Sequence, residues 1–353
     1  MTYSKRWHAL WLLAGLLGLW GVARYFQGTP SRPADASTTE APVTYAFEIF
    51  NTYGRLTLYG TSKEFGDPVN AKLQQRLRQL HDTINAYDPA SELSSLNRTA
   101  HEVPFRCSPM LWDILMAAKE AHRLSEGCFD VTVGPLMHLW GFHEKKGSVP
   151  TEEEIQAALQ NVGFGKLRLD EAARTVAFPH EGMRIDFGGI AKGFALDLAA
   201  DLLETAGLSC YLLDLGGNIH GKGGTAHPVF TIGVRNPMNP QALLGTLSCT
   251  HEMIATSGNY ERFRMLDGKK VGHIMDPRTG HPCDYLAGVT VVTTRGVLSD
   301  VLSTTAFVGG RQLAAKLVQA LPETSFIFVD AAASGVPLPE VIGPHHLSQI
   351  PNS

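Results

Sequence analysis

The chain has 353 residues, of which 44% are hydrophobic and 18% charged, an ordinary globular composition with length for a large core or two subdomains. The formal net charge is −4 and no dense Lys/Arg run occurs, so nucleic-acid binding has little electrostatic support. The five cysteines (Cys107, Cys128, Cys210, Cys249 and Cys283) form no C-x-x-C pair, which disfavours zinc or dithiol chemistry and reads as buried structural thiols.

Lys5 and Arg6 precede an apolar run from residue 9 to 23. Without a polar face, the run reads as a signal peptide or signal-anchor over 1–26, oriented with its N-terminus inside. Residues 27–43, rich in Pro, Ser, Thr and Ala, read as a disordered linker. The globular part is expected over 44–330. Strands at 45–51 and 55–59 are joined through Tyr53-Gly54. Val69, Leu73, Leu77, Leu80 and Ile84 follow helical spacing from Asp67-Pro68 onward. Ser108 followed by Pro109 starts a helix that runs to about Ser125, with Gly127 as its stop. Thr151 and Glu154 form a capping-box pattern for a helix reaching about Gln160. Strand-like segments follow at 166–169, 175–178 and 183–186. A helix over 191–206 is closed by Gly207. Further strands are expected at 210–215, 230–234, 244–249, 253–256 and 289–293, then helices at 300–307 and 312–321 and a strand at 326–329. The tail over 331–353 reads as loose. Strands outnumber helices and are joined by short turns, which predicts an α+β protein with mixed sheets rather than a doubly wound one.

Several segments carry candidate chemistry. Asp300, Ser303 and Thr304 are spaced i, i+3, i+4, which puts a carboxylate and two hydroxyls on one helix face. Such hard oxygen donors suit Mg²⁺ and, with it, phosphate ester or anhydride chemistry. His273 lies in a turn-rich segment near Asp276-Pro277 and is either structural or a general base. The run from Asp186 to Gly193 (D-F-G-G-I-A-K-G) opens a helix. Its glycines permit close approach, its free N–H groups suit a phosphate, and Lys192 adds charge. Taken alone it is equally a plain turn, being neither a Walker A loop nor a dinucleotide fingerprint. Asp214-Leu215-Gly216-Gly217-Asn218 ends a strand in a turn. Asp130, in an apolar run, either caps a turn or binds a ribose or amide edge. Tyr87 is either an ordinary surface or core tyrosine or a ring that stacks on a planar ligand.

In chain order, Y-D-P-A-S-E-L-S-S-L-N (87–97), F-D-V-T-V-G-P-L with L-W-G-F, D-F-G-G-I-A-K-G, L-D-L-G-G-N, S-G-N-Y-E-R-F, H-I-M-D-P-R-T-G and S-D-V-L-S-T-T resemble the motifs of the FAD:protein FMN transferases, the ApbE family. The resemblance runs from about residue 50 to 307. It implies two interleaved subdomains with a flavin cleft between them. It also implies Mg²⁺-dependent transfer of FMN from FAD to a Thr or Ser hydroxyl of a target protein, with release of AMP. Implied targets are redox subunits of sodium-pumping NADH:quinone oxidoreductases or Rnf-type complexes. The implied location is the inner membrane, with the catalytic domain facing the periplasm or cell exterior. By resemblance, Asp300 and Thr304 match metal-binding side chains with Ser303 between them, and Ala191 matches a position offering its carbonyl to the metal. His273 matches the base and Tyr87 the aromatic beside the isoalloxazine. Asp130, Gly188, Lys192, Phe194 and Ile274 fall at flavin-lining positions. Phe50 stands where members commonly carry Met, and Gly188 where many carry Ser. The alternatives are a Mg²⁺-dependent FAD pyrophosphatase with water as nucleophile, and a flavin-binding module without catalysis.

Overall fold

The computed structural model describes residues 41–143, 148–260, 262–331 and 338–349. The expected signal or anchor segment and nearly all of the linker lie outside the described residues. None of the described helices is long and apolar enough to cross a membrane.

The first hairpin joins β1 (Val43–Ile49) and β2 (Thr52–Leu58). Its turn is Phe50-Asn51, with φ of 51° and 58°, rather than the expected Tyr53-Gly54. Two successive positive-φ residues give the turn whose twist matches its flanking strands. Gly54 instead pairs with Phe47 in the ladder, and a Cβ there would come within 2.2 Å of the Phe47 ring. That glycine serves packing, not turning.

Helix α1 (Lys63–Ile84) starts earlier than expected because the Ser62 hydroxyl caps it, accepting from the Phe65 N–H at 3.3 Å. The predicted apolar stripe is its buried face. An unforeseen helix, α2 (Glu92–Thr99), follows and is capped by Ser91. The two-residue β3 (Phe105–Arg106) leads to α3 (Pro109–Leu124), which Ser108 caps. Gly127 (φ 79°) closes α3 by donating its N–H to the His122 carbonyl, as predicted. A short α4 (Gly134–Leu139) precedes α5 (Glu152–Leu159), whose capping box is formed in both directions. A small sheet then sets β5 (Thr175–Ala177) between β3 and β4 (Arg168–Asp170). The segment 183–186, expected as a strand, joins no ladder. The Asn97 amide takes the place of a neighbouring strand, donating to the Ile185 carbonyl (2.9 Å) and accepting its N–H (2.8 Å).

Helix α6 (Ala191–Thr205) ends at Ala206 and Gly207. β6 (Tyr211–Leu215) and β7 (Asn218–Lys222) turn through Gly216-Gly217, both at positive φ. Then come β8 (Phe230–Asn236), β9 (Asn239–Cys249), β10 (Met253–Gly258), β11 (Phe263–Leu266), β12 (Lys269–Gly272) and β13 (Leu286–Thr293). The two helices expected late in the chain are one element, α7 (Gly296–Ala320), broken at Gly310 (φ 70°, ψ −168°). β14 (Ser325–Asp330) and β15 (Glu340–Ile342) finish the fold.

Among the described residues, the main sheet has eight strands in the order β1-β2-β6-β7-β10-β13-β14-β15. Every pairing among the described strands is antiparallel, so the expectation of mixed sheets is corrected. The reason is local: many neighbours follow one another through short turns, which only antiparallel strands allow. β13 is buried on both faces. Val289 and Val291 pack with Leu302 and Phe307 of α7, while Val292 packs with Phe230 and Ile232 of β8. The tail also departs from expectation over its described part. β15 pairs with β14, and Ser348 exchanges two 2.9 Å backbone hydrogen bonds with Thr246, which ties the segment down. All five cysteines are buried and free, as the composition suggested.

Candidate active site

The loops after β1, α1, β6 and β12 and the N-terminal end of α6 surround a cavity of about 880 Å³. Asp300 and Thr304 line it from α7. Gly188 and Lys192 line it from the start of α6, and His273 and Ile274 from the segment after β12. Phe50, Tyr87 and Asp130 complete the predicted set that reaches the cavity. Three predicted residues do not line it. Phe194 packs against the main core, Ala191 is buried in the first turn of α6, and Ser303 is fully buried.

Two glycines place Asp300. A Cβ on Gly193 would sit 2.2 Å from the Gly296 carbonyl oxygen and 2.6 Å from the Asp300 Cβ, and a Cβ on Gly296 would sit 2.2 Å from the Gly193 oxygen. With hydrogen at both positions, α6 and α7 approach backbone to backbone and cap one another. Asp300 of α7 accepts from the Gly193 N–H (2.9 Å), while Asp197 of α6 accepts from Gly296 and Val297 (2.7 and 2.9 Å). Each carboxylate thus meets the positive end of the other helix.

Burial pushes the Asp300 carboxyl above its ordinary range, although the Lys192 charge and the helix N–H groups act against the shift. Asn218 is buried, and neither polar atom of its amide completes a hydrogen bond among the described residues. Beside them, the Ser257 hydroxyl lies 2.7 Å from that of Ser303 and 3.2 Å from that of Thr304. Ser303 also donates to the Asp300 backbone carbonyl (2.8 Å). No group of three or more His, Cys, Asp or Glu side chains able to hold a metal occurs among the described residues. An ion here would rest on one carboxylate plus hydroxyl and carbonyl oxygens, a donor set for a hard cation such as Mg²⁺. A buried carboxylate short of compensating charge and an orphaned amide fit such an ion.

His273 Nδ1 lies 3.0 Å from the Arg262 carbonyl oxygen. A carbonyl only accepts, so Nδ1 carries the hydrogen and Nε2 keeps its lone pair. Burial, then the Arg262 and Lys192 charges, pushes the imidazole down to about 4. It is therefore neutral at pH 7 and able to accept a proton.

Asp130 caps the turn that follows it. One of its oxygens accepts from the N–H and hydroxyl of Thr132 (2.8 and 2.6 Å), and the other from the Phe164 N–H (2.7 Å). Its carboxylate is spent on the protein, though its edge borders the cavity. Tyr87 is 49% exposed, and Arg262 Nη2 donates to both its hydroxyl and the Phe142 carbonyl at 2.7 Å.

Residue-by-residue reasoning passed over Ser257, Arg262, Asp186 and Asn218 as site groups. Ser257 and Arg262 lie in S-G-N-Y-E-R-F, Asp186 opens D-F-G-G-I-A-K-G and Asn218 ends L-D-L-G-G-N, so the motifs held the signal.

A family model described as the ApbE family matches residues 50–328. A FAD:protein FMN transferase of Klebsiella pneumoniae (strain 342) is 32% identical over 267 residues, covering 74% of this chain and 82% of that protein. One of Escherichia coli (strain K12) is 27% identical over 312 residues, covering 86% and 89%. Among solved structures, the flavin transferase ApbE from Vibrio cholerae superposes with a TM-score of 0.71 at 26% identity, over 87% of this chain and 97% of that one. The ApbE protein of Thermotoga maritima shares the fold, with a TM-score of 0.76 at 24% identity over 87% and 97%. With its mixed α/β fold and this match along most of its length, the chain belongs to the ApbE family.

Proposed function

We propose that this protein transfers the FMN half of FAD to a Thr or Ser hydroxyl of a target protein, with AMP as the leaving group. The observation that carries the reading is the convergence on one cavity of the Asp300/Thr304 oxygen set, the Lys192 end of α6 and a neutral His273. The names of the relatives support the same activity.

Asp300 and Thr304, with Ser303 behind them and the Ala191 carbonyl, would hold Mg²⁺. When bound, the ion supplies charge neutralisation on the pyrophosphate. Lys192, on the first turn of α6, brings a full charge to the same place, where it stabilises charge developing on the phosphates; the N–H groups of that turn are taken by the Phe187 carbonyl and Asp300. His273 Nε2 takes the proton of the acceptor hydroxyl as that oxygen attacks the phosphorus on the flavin side. Tyr87, Phe50 and Ile274 offer apolar surface to the flavin ring, and the Tyr87 ring limits the approach of water. Asp130, Gly188 and Phe194 are assigned to the flavin wall by resemblance; Asp130 and Gly188 border the cavity, whereas Phe194 packs behind it. The cleft between two subdomains and a membrane anchor at residues 1–26, with the catalytic part exported toward membrane-bound redox subunits, complete the proposal.

The test is incubation with FAD, Mg²⁺ and a candidate acceptor domain, followed by mass spectrometry of the acceptor. An FMN adduct on a Thr or Ser supports transfer. Free FMN and AMP with an unmodified acceptor would make the protein a pyrophosphatase. Bound but unchanged FAD would make it a carrier.

A further inference from the structure

His143 follows the L-W-G-F segment directly and has no part in the roles above. Its Nε2 lies 3.0 Å from Asp186 Oδ2, and both side chains are largely shielded, 18% and 15% exposed. A carboxylate accepts, so this nitrogen donates. The imidazole also lies against Tyr87, with ring centroids 5.0 Å apart and planes inclined by 32°. Asp186 and Tyr87 line the cavity. The second oxygen of Asp186 accepts from the Gly188 N–H at 2.7 Å, which shapes the glycine turn leading to α6. Tyr87 sits on a loop, its own N–H bonded to the Asn85 side chain (3.0 Å), so its ring depends on what it leans against. Arg262 fixes the hydroxyl end and His143 supports the ring.

We infer that His143 is a positioning residue that braces the Tyr87 ring and the Asp186 carboxylate together. It thereby sets the preference of the site for a ligand carrying a broad planar ring over one offering a pyrophosphate alone. The inference rests on the flavin reading. The ring contact is geometric: a tyrosine held in one orientation presents a ready stacking face, whereas a loose one must be ordered on binding. The carboxylate contact matters because an unpaired Asp186 would be free to turn away from Gly188.

The test compares FAD with ADP-ribose, which keeps the pyrophosphate and lacks the tricyclic ring. Binding is measured by calorimetry on the parent and on His143→Ala, His143→Phe and His143→Gln. His143→Ala should weaken FAD roughly 5–10-fold, the size of one aromatic contact, and leave ADP-ribose within about twofold. His143→Phe, which restores the ring, should recover much of the FAD affinity; His143→Gln, which restores only the donor, should recover less. Equal weakening of both ligands, or FAD binding untouched in the Ala variant, overturns the inference. A parent protein that binds no FAD overturns the flavin reading and the inference with it. A parent that binds FAD beside an indifferent Ala variant overturns the inference alone.

Discussion

Gly193→Ala tests whether the crossing of α6 and α7 places the Asp300 carboxylate. The new methyl would stand 2.2 Å from the Gly296 carbonyl oxygen, 2.6 Å from the Asp300 Cβ and 2.8 Å from the Gly296 carbonyl carbon. None of these atoms can rotate aside, so relief to an ordinary ~3.5 Å contact needs the helices to part by roughly 1 Å. Overpacking of this kind costs ~1–3 kcal/mol, and a clash with backbone belongs at the upper end. Alanine in place of glycine returns ~1 kcal/mol of helix propensity. The net loss should be about 2 kcal/mol, read as a lower urea midpoint at unchanged slope. The same displacement carries Asp300 away from the Gly193 N–H, and a ~1 Å misplacement can cost ~10²-fold in rate. FMN transfer should therefore fall by about that factor while the concentration of Mg²⁺ required rises. Gly165→Ala, where a Cβ meets nothing within 4 Å, is the control and should change neither property. A Gly193→Ala protein within ~0.5 kcal/mol of the parent and transferring at the parental rate would refute the argument.

Asp300→Ala should abolish transfer by removing the only charged member of the oxygen set; near-parental turnover at modest Mg²⁺ would contradict the assignment. His273→Ala should slow transfer by ~10²–10⁴ while FAD still binds, and unchanged turnover would argue against the base role. Because burial and neighbouring cations hold the His273 imidazole near 4, kcat/KM should keep its value well below pH 6; an acidic limb at the ordinary histidine value of ~6.5 would count against that environment. His220 is buried at 2% exposure, its Nδ1 3.3 Å from the Tyr211 hydroxyl. Burial pushes it down to about 4. The unfolded chain therefore binds the proton more readily, so this contribution is complete above pH ~6.5 and is lost as pH falls toward 4. At pH 5 the loss is about 2 kcal/mol. His220→Gln should flatten that part of the stability profile in urea titrations at pH 7.5 and 5, and an undiminished dependence would be the contrary result.

Much of the site was legible before any fold was known. The i, i+3, i+4 spacing of Asp300, Ser303 and Thr304 needs only a helix, and α7 supplies it. Yet helical spacing does not say what each residue faces. Ser303 turns to the Asp300 carbonyl and the Ser257 hydroxyl, because β10 packs there. Asp300 and Thr304 border the cavity. Asp130 illustrates the opposite case: both readings were open from the sequence, and the structure makes it a turn cap with a wall of the cavity behind it.

Features whose causes lie within a few residues were settled by the chain itself. They include the caps at Ser108 and Thr151, the glycine stops at Gly127 and Gly207, the apolar stripe of α1 and the ordered motifs that mark the family. Tertiary structure decided whatever depends on a partner far along the chain. The segment 183–186 is held by Asn97 instead of a strand, and Gly193 exists for Gly296. Arg262 and His143 joined the site because folding carried Tyr87 and Asp186 to them. Local periodicity reports which face of an element is apolar. Only packing specifies which distant backbone that face must admit, and here that contact sets the carboxylate in place.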